Sequence, residues 1–343
     1  MTLLKLIFIP FYPILYLIIH IRHFLYSKFK SMTYVPTVHT ISIGNLKIGG
    51  TGKSPFTNLL IKELKSNHNI ALLSRGYGRN SEGFVLATRD ISSSDIGDEP
   101  RMLQLNNPDI TVAVCEKRAV GIKRLISNDP LIDMILLDDA MQHRAVTPSV
   151  SIMLTEYDHP YFSDRMFPFG MLRDIRSRAK TADVIVVTKS PNQLSVKMMD
   201  DFVGNMKDID SSKVYFSTVN NISPRQIFCD GELELKSNVV IMTGIASPNK
   251  FIENISKDYN VIKEFIFKDH YNFKPKDIEA VIKFAEQNNA NIIVTAKDKV
   301  KIEEIDILSI HQREMLYYQD ISYKIMEYRG KNLNSLIKEI SSK

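Results

Sequence analysis

Ile41-Ser42-Ile43-Gly44-Asn45-Leu46-Lys47-Ile48-Gly49-Gly50-Thr51-Gly52-Lys53-Ser54 is the stretch that decides the fold of this 343-residue chain. An apolar β-type run, Thr40 to Ile43, leads into it, and a helix-type run with Phe56, Leu59, Leu60 and Leu64 follows. Strand, glycine-rich loop and helix in that order make the arrangement of a nucleotide-binding P-loop. Small residues let backbone N–H groups close around phosphate oxygens. The helix N-terminus adds positive potential, Lys53 supplies a point charge, and the Ser54 hydroxyl suits Mg²⁺. Pro55 falls in the first helical turn, where a missing N–H costs little. The usual spacing would put glycine at position 47, and this chain has Lys47. Gly49, Gly50 and Gly52 still keep the backbone small, so the candidate phosphate-binding run is Ile48, Gly49, Gly50, Thr51, Gly52, Lys53, Ser54 and Pro55.

Working outward, short β-branched runs recur at Thr40–Ile43, Ile70–Leu73, Ile110–Val114, Met134–Leu137, Val150–Leu154, Val184–Val187, Val239–Met242 and Ile292–Val294. Helix-length segments separate them. Continuous apolar strands alternating with helices predict an α/β fold: a P-loop NTPase-like, doubly wound, mostly parallel sheet. Ligands bind beyond the carboxyl ends of such strands. Val214-Tyr215-Phe216, Gln226-Ile227-Phe228 and Asp230-Gly231 followed by Glu232-Leu233-Glu234-Leu235 read as a β-ribbon with a hairpin. The predicted organisation is an N-terminal membrane-associated helix (1–30), a P-loop core (31–212), a β-ribbon linker (213–238) and a smaller C-terminal α/β lobe (239–343). A chain of this length suits about two domains of roughly 150 residues.

Charge is unevenly spread. Residues 1–62 carry seven Lys/Arg and no Asp or Glu, whereas the remainder carries 37 basic and 39 acidic residues. Long-range attraction therefore belongs to one end, which suits an anionic surface and argues against a nucleic-acid-binding body. The uncharged run Leu6 to Ile21 is 16 residues, short against the ~20 that span a bilayer. Pro10 and Pro13 disturb a helix near its start, and no small-residue cleavage site follows. A membrane anchor, interfacial or marginally spanning, is the expectation, with a buried helix of the main domain as the alternative. Arg22, Lys28 and Lys30 flank it. Cys115 and Cys229 make neither a metal spacing nor a disulfide framework, which fits a reducing compartment.

A second chemical element is the buried-type strand Ile132-Asp133-Met134-Ile135-Leu136-Leu137 ending in Asp138-Asp139. P-loop enzymes hold Mg²⁺ with such a strand-end carboxylate. One of the pair would serve the metal and the other hydroxyl chemistry or a supporting contact. Ala140-Met141-Gln142-His143-Arg144 adds an amide, an imidazole and a guanidinium.

These motifs together resemble the tetraacyldisaccharide 4′-kinase family, the lipid A 4′-kinases of Gram-negative bacteria. The resemblance runs almost the full length. It is carried by Gly44 to Pro55, Leu73-Ser74-Arg75-Gly76-Tyr77-Gly78-Arg79, Gly97-Asp98-Glu99-Pro100, Asp138 to Arg144, Thr188-Lys189, Asp269-His270-Tyr271-Asn272-Phe273 and Thr295-Ala296-Lys297-Asp298. It implies transfer of the γ-phosphoryl of ATP to the 4′-hydroxyl of an acylated glucosamine disaccharide phosphate lipid. The implied location is the cytoplasmic face of the bacterial inner membrane, with no obligate protein partner evident. By resemblance Lys53 and Ser54 serve phosphate and Mg²⁺, and Asp138 is the strand-end carboxylate. Asp98 matches the catalytic base and His270 its partner; Glu99 is a further Mg²⁺ candidate. A carboxylate oriented by an imidazole can take a sugar-hydroxyl proton during transfer. The residues alone leave the proton acceptor open among Asp98, Asp139 and His270. Arg75, Tyr77 and Arg79, and more weakly Arg118, are candidates for the anionic acceptor, together with Gln142, His143, Arg144, Arg173 and Asp174. The run Phe167 to Asp174 resembles a family loop in which Arg is usually followed by Glu; Asp174 is one methylene shorter. Ser54 stands where Thr is common and Met141 where an aromatic is common.

Three other readings explain less. A deviant-P-loop ATPase that cycles on membranes and moves cargo needs Lys directly before Gly-Gly-x-Gly-Lys; Ile48 is there, with Lys47 one residue out of register. A guanine-specificity loop needs Asp two residues after Lys189, and Pro191 is there, whereas Asp298 comes too early after Lys297. A membrane-tethered interaction protein would leave the glycine loop and the paired Asp without a use.

Overall fold

The computed structural model describes residues 12–29, 31, 33–228, 235–305 and 308–342. The first lobe runs α1 (Tyr12–Lys28), β1 (His39–Asn45), α2 (Lys53–Leu64), β2 (Ile70–Ser74), β3 (Val85–Leu86), α3 (Ser93–Ile96), α4 (Asp98–Asn106), β4 (Thr111–Val114), α5 (Arg118–Asn128), β5 (Met134–Asp138), β6 (Val150–Glu156), β7 (Val184–Ser190), α6 (Val196–Gly204) and β8 (Val214–Asn221). The second adds β9 (Arg225–Gln226), β10 (Asn238–Thr243), α7 (Asn249–Ile255), β11 (Asn260–Ile266), α8 (Pro275–Gln287), β12 (Asn291–Thr295), α9 (Ala296–Glu303), α10 (Ile310–Glu314) and β13 (Leu316–Gln319). The chain then forms β14 (Ile321–Ile325) and α11 (Leu333–Ser342).

Two sheets result, ordered β14-β8-β7-β6-β1-β5-β2-β4-β3 and β11-β10-β12-β13-β9. Strands β8 through β4 of the first are parallel to their neighbours, with antiparallel β14 and β3 at the edges. The second is parallel except at β9. All eight strands read from apolar runs are present. Their continuous hydrophobicity has a cause: alternate residues face opposite sides, and both sides are covered. Leu72 packs with Phe56 and Leu60 of α2, whereas Ala71 and Leu73 pack with Ile122 and Leu125 of α5. The loops after β1, β2, β5 and β7 open at one edge, where the site lies.

The lobe boundaries differ from the sequence division. Strand β8, expected in a ribbon linker, lies in the nine-stranded sheet, and β9 belongs to the five-stranded one. Residues 321–342, expected in the C-terminal lobe, return to the first: Ile321 faces Asn221 in the β14–β8 register, and Leu336 and Ile340 pack beside Ile41 and Phe56. The expected hairpin at Asp230-Gly231 lies outside the described residues.

Helix α1 is inside-out for a water-soluble surface. Leu17, Ile18 and Phe24 are 58%, 57% and 59% exposed. Two of its polar side chains bond to the rest of the fold instead. His23 Nε2 lies 2.6 Å from Asp174, and Arg22 donates to the Gln142 carbonyl at 2.7 Å. The Tyr12 ring meets Phe169 edge-on at 5.0 Å. Among the described residues, no helix is long and apolar enough to cross a membrane.

Candidate active site

The loop between β1 and α2 is built on close backbone approaches. Gly49 and Gly52 take φ of 106° and 85°, the left-handed region open to glycine. Asn45 donates to the Thr51 hydroxyl at 2.6 Å, and Thr188 donates to the Thr51 carbonyl at 2.9 Å. Lys189 caps the Gly50 carbonyl at 2.5 Å. Lys47, the residue that breaks the usual spacing, is buried and tied down. Its ammonium donates to the His159 carbonyl at 2.9 Å and pairs with Asp164 at 3.2 Å. Ile48 donates its N–H to the Met171 carbonyl at 2.7 Å. Residues 49–55 are thus braced at both ends, with Lys53, Ser54 and Pro55 opening α2.

At the end of β5, Asp138 and Asp139 diverge. Asp138 is buried and takes one bond, from Ser74 at 3.2 Å, while its Oδ1 has no hydrogen-bond partner. Burial, then the carboxylates of Glu99 and Asp139, push its pKa well above the usual carboxylate range. Asp139 sits in left-handed backbone, φ 47°. Burial pushes its carboxyl up, but the Arg173 hydrogen bonds and the charges of Lys53, Arg173 and Arg118 outweigh it, and the pKa is lowered. Arg173 clasps Asp139 with both terminal nitrogens, one at 2.9 Å, and reaches the Asn45 side chain at 2.5 Å. Lys53 stands 3.7 Å from Asp139.

Asp98 begins α4, directly after Gly97 at φ 92°. Its Oδ2 receives two contacts from the second lobe: His270 Nδ1 at 3.1 Å and Lys301 Nζ at 2.9 Å. The other imidazole nitrogen, Nε2, faces Lys297 Nζ at 3.1 Å. An ammonium only donates, so Nε2 is the acceptor and Nδ1 carries the hydrogen given to Asp98. His270 adopts φ 58° and is shadowed by Tyr77, whose ring centroid is 5.5 Å away. Burial raises the pKa of Asp98, but the hydrogen bonds from His270 and Lys301 prevail and it is lowered. The carboxylate is held ionised.

The residues expected at an anionic acceptor divide. Arg75 and Tyr77 are exposed on the loop after β2, and His143 is half-buried after β5. Burial and the charges of Arg118 and Arg75 lower the pKa of His143 to about 4. Others hold the scaffold. Arg79 is paired with Glu116 and donates to the Gly83 carbonyl at 2.6 Å. Arg118 is 2% exposed and donates to the carbonyls of Cys115 at 2.5 Å and Asp138 at 2.9 Å. It ties the end of β5 to the residue after β4, while its Nε has no hydrogen-bond partner. Asp174 accepts from the Ile175 N–H at 2.8 Å and anchors His23. Its carboxylate is 2.6 Å from His23 of helix α1 and 3.8 Å from Arg178. Gln142 donates to the Asn45 carbonyl at 2.7 Å, and Arg144 meets His23 Nδ1 at 2.9 Å. Lys301 was not singled out from sequence: on a polar helix, 203 residues from Asp98, it reads as a solvated charge.

A family model described as tetraacyldisaccharide-1-P 4′-kinase matches residues 4–340. The chain is 35% identical over 341 residues to the tetraacyldisaccharide 4′-kinase of Cytophaga hutchinsonii, covering 98% of this chain and 96% of that one. It is 36% identical over 349 residues to the protein of the same name from Flavobacterium johnsoniae, covering 97% and 99%. Among solved structures, the "apo" form of LpxK from Aquifex aeolicus in complex with ATP is similar with a TM-score of 0.77 at 22% identity, over 99% of each chain. That likeness extends the shared architecture to both lobes.

Proposed function

The chain belongs to the tetraacyldisaccharide-1-P 4′-kinase family, and on that premise we propose how its residues perform the reaction. The activity is ATP-dependent phosphorylation of the 4′-hydroxyl of a tetraacyldisaccharide 1-phosphate, a step of lipid A biosynthesis. The observation that carries the assignment of roles is the placement of Asp98 between the lobes, held by His270 and Lys301.

The glycine loop is the phosphate cradle of ATP. Its backbone N–H groups and the N-terminus of α2 face the polyphosphate, and Lys53 supplies the mobile charge. Ser54, Asp138 and Glu99 fit a Mg²⁺ ion. The buried, unpartnered Oδ1 of Asp138 calls for a cation, and crowding by Glu99 and Asp139 is relieved by one. No group of three or more His, Cys, Asp or Glu forms a cage among the described residues, which suits an ion that keeps waters and substrate phosphates as ligands. When bound, Mg²⁺ neutralises charge on the transferring phosphoryl group.

Asp98 is the proton acceptor. As the 4′-oxygen forms its bond to the γ-phosphorus, its hydrogen passes to Asp98 and the bond to the β–γ bridging oxygen breaks, releasing ADP. A carboxylate with lowered pKa is a weak base, so it acts late, when the hydroxyl has become acidic through bond formation. Asp139, spoken for by Arg173 and Lys53, is a positioning residue for the lysine. Arg75, Tyr77 and His143 are the residues placed to meet the acceptor.

The exposed apolar face of α1, beside Arg22 and Lys28, supports docking on an anionic bilayer. We place the protein on the cytoplasmic face of the inner membrane, where ATP and the lipid acceptor meet. The test is incubation of purified protein with labelled ATP and detergent-solubilised tetraacyldisaccharide 1-phosphate. Label in the lipid is expected. ATP hydrolysis with dimer formation and no labelled lipid would instead favour the cargo-ATPase reading, which the committed Lys47 ammonium already disfavours.

A further inference from the structure

Helix α9 carries two lysines one turn apart, Lys297 and Lys301, and so on one face. Lys297 reaches His270 Nε2 at 3.1 Å, and Lys301 reaches Asp98 Oδ2 at 2.9 Å. One helix face therefore holds both ends of the Asp98–His270 pair. The two holds differ in rigidity. The Lys301 side chain is 5% exposed and also donates to the Tyr271 carbonyl at 3.0 Å, whereas the His270 side chain is 32% exposed, on a loop. Helix α9 is itself bolted down. Asp298 accepts from Thr243 at 2.8 Å, Thr295 at 2.7 Å and the Gly244 N–H at 3.2 Å. A buried ammonium is expensive unless paired, and the carboxylate it pairs with here is the one assigned to the chemistry.

We propose that Lys301 is a positioning residue for phosphoryl transfer, fixing Oδ2 of Asp98 from the second lobe and so aiming the other carboxylate oxygen at the acceptor hydroxyl. This rests on Asp98 as proton acceptor in the kinase reaction. The Lys301 ammonium is committed to Asp98 and to the Tyr271 carbonyl beside His270, so it acts through the pair it holds. A nearly isosteric, uncharged side chain should lower turnover without weakening ATP binding. Restoring the charge with a different reach should recover part of it.

The test is a kinetic cycle on the full chain with labelled ATP and the solubilised lipid acceptor. Lys301→Met should lower kcat at least roughly tenfold with KM for ATP unchanged within about twofold. Lys301→Arg should regain part of that loss. In an Asp98→Asn background, Lys301→Met should cost less than about twofold further, because the group it positions is gone. If the Met variant does not melt cooperatively, Lys301→Gln carries the same cycle, since it keeps a donor for the Tyr271 carbonyl. Wild-type kcat in Lys301→Met, an Arg variant no better than Met, or an equal loss in both backgrounds would each overturn the proposal. A wild-type chain that labels no lipid, or a fully active Asp98→Asn, would instead overturn the functional reading beneath it.

Discussion

Gly52 carries the tightest steric demand in the loop between β1 and α2. A Cβ there would stand 1.8 Å from the Tyr323 hydroxyl and 2.7–2.9 Å from two ring carbons, at a φ of +85°. Gly52→Ala should therefore destabilise the fold by about 2–4 kcal/mol and abolish the ATP-induced rise in melting temperature. Adding Tyr323→Phe should not rescue it, because the ring carbons collide as well. His143 makes a second prediction. Its folded pKa is lowered to about 4 from 6.5, first by burial and then by the charge of Arg118. Below pH 6.5 the unfolded chain takes a proton that the folded one refuses, so stability falls between about pH 6.5 and 4. Urea midpoints at pH 7.5 and 4.5 should differ less for His143→Gln than for the wild type. At this scale, sequence legibility depended on distance along the chain. Lys53, Ser54 and Asp138 sit in local patterns whose chemistry is local. Lys301 and Arg118 take their roles from carbonyls and carboxylates elsewhere: one looked like surface charge, the other like a ligand arginine.

Among elements, the buried parallel strands were the most legible, since coverage on both faces leaves each as an unbroken apolar run. Strands β3, β11, β13 and β14 are not among those runs; they are short, lie at edges or interrupt apolar residues with polar ones, as in Asn260-Val261-Ile262-Lys263-Glu264-Phe265-Ile266. Helix α1 shows the opposite bias: its composition was plain and its docking was not. The contacts that hold it are mixed, His23 to Asp174 and Arg22 to Gln142 beside Tyr12 and Ile19 on the core, while Leu17, Ile18 and Phe24 are mostly exposed. Replacing Leu17 and Ile18 with Ser should leave the melting temperature unchanged, because both residues are more than half exposed. It should weaken sedimentation with anionic vesicles roughly tenfold or more, given ~1.5–3 kcal/mol for each fully buried apolar side chain. Asp174→Ala should act on the helix's other face. With the His23 anchor gone, trypsin should cut faster at Arg22 and Lys28.

At the scale of the molecule, the second lobe is an insertion in the first, because β14 and α11 return after it. Reading the chain in contiguous blocks could not show this; the returning strand becomes visible only through its pairing with β8. The lobes have separate cores. Tyr323, Ile325, Leu336 and Ile340 pack with Ile41 and Phe56 in one, whereas Met242, Ile278, Val281, Val294 and Leu316 form the other. The points of departure and return are adjacent: Asn221 faces Ile321 across antiparallel strands, and the Ile222 N–H bonds to the Asp320 carbonyl at 3.0 Å. Replacing residues 222–320 with Asn-Gly should therefore join β8 to β14 by a two-residue hairpin turn. The resulting protein should melt cooperatively and bind ATP, read as a rise in melting temperature with nucleotide. It should phosphorylate no lipid, because His270 and Lys301 leave with the insertion and Asp98 loses both its holds. Its stability should be below that of the full chain, since the Ser93–Glu304 bonds at 2.5 and 2.9 Å and the Asp98–Lys301 pair also go. Cutting after Asp320 should be worse, although it removes fewer residues. It strips β14 and α11 from the first core and takes Tyr323 from beside Gly52, so no nucleotide-dependent melting should remain. A hairpin variant that fails to melt cooperatively while the truncated chain binds ATP would reverse this order and place the return strand outside the nucleotide lobe.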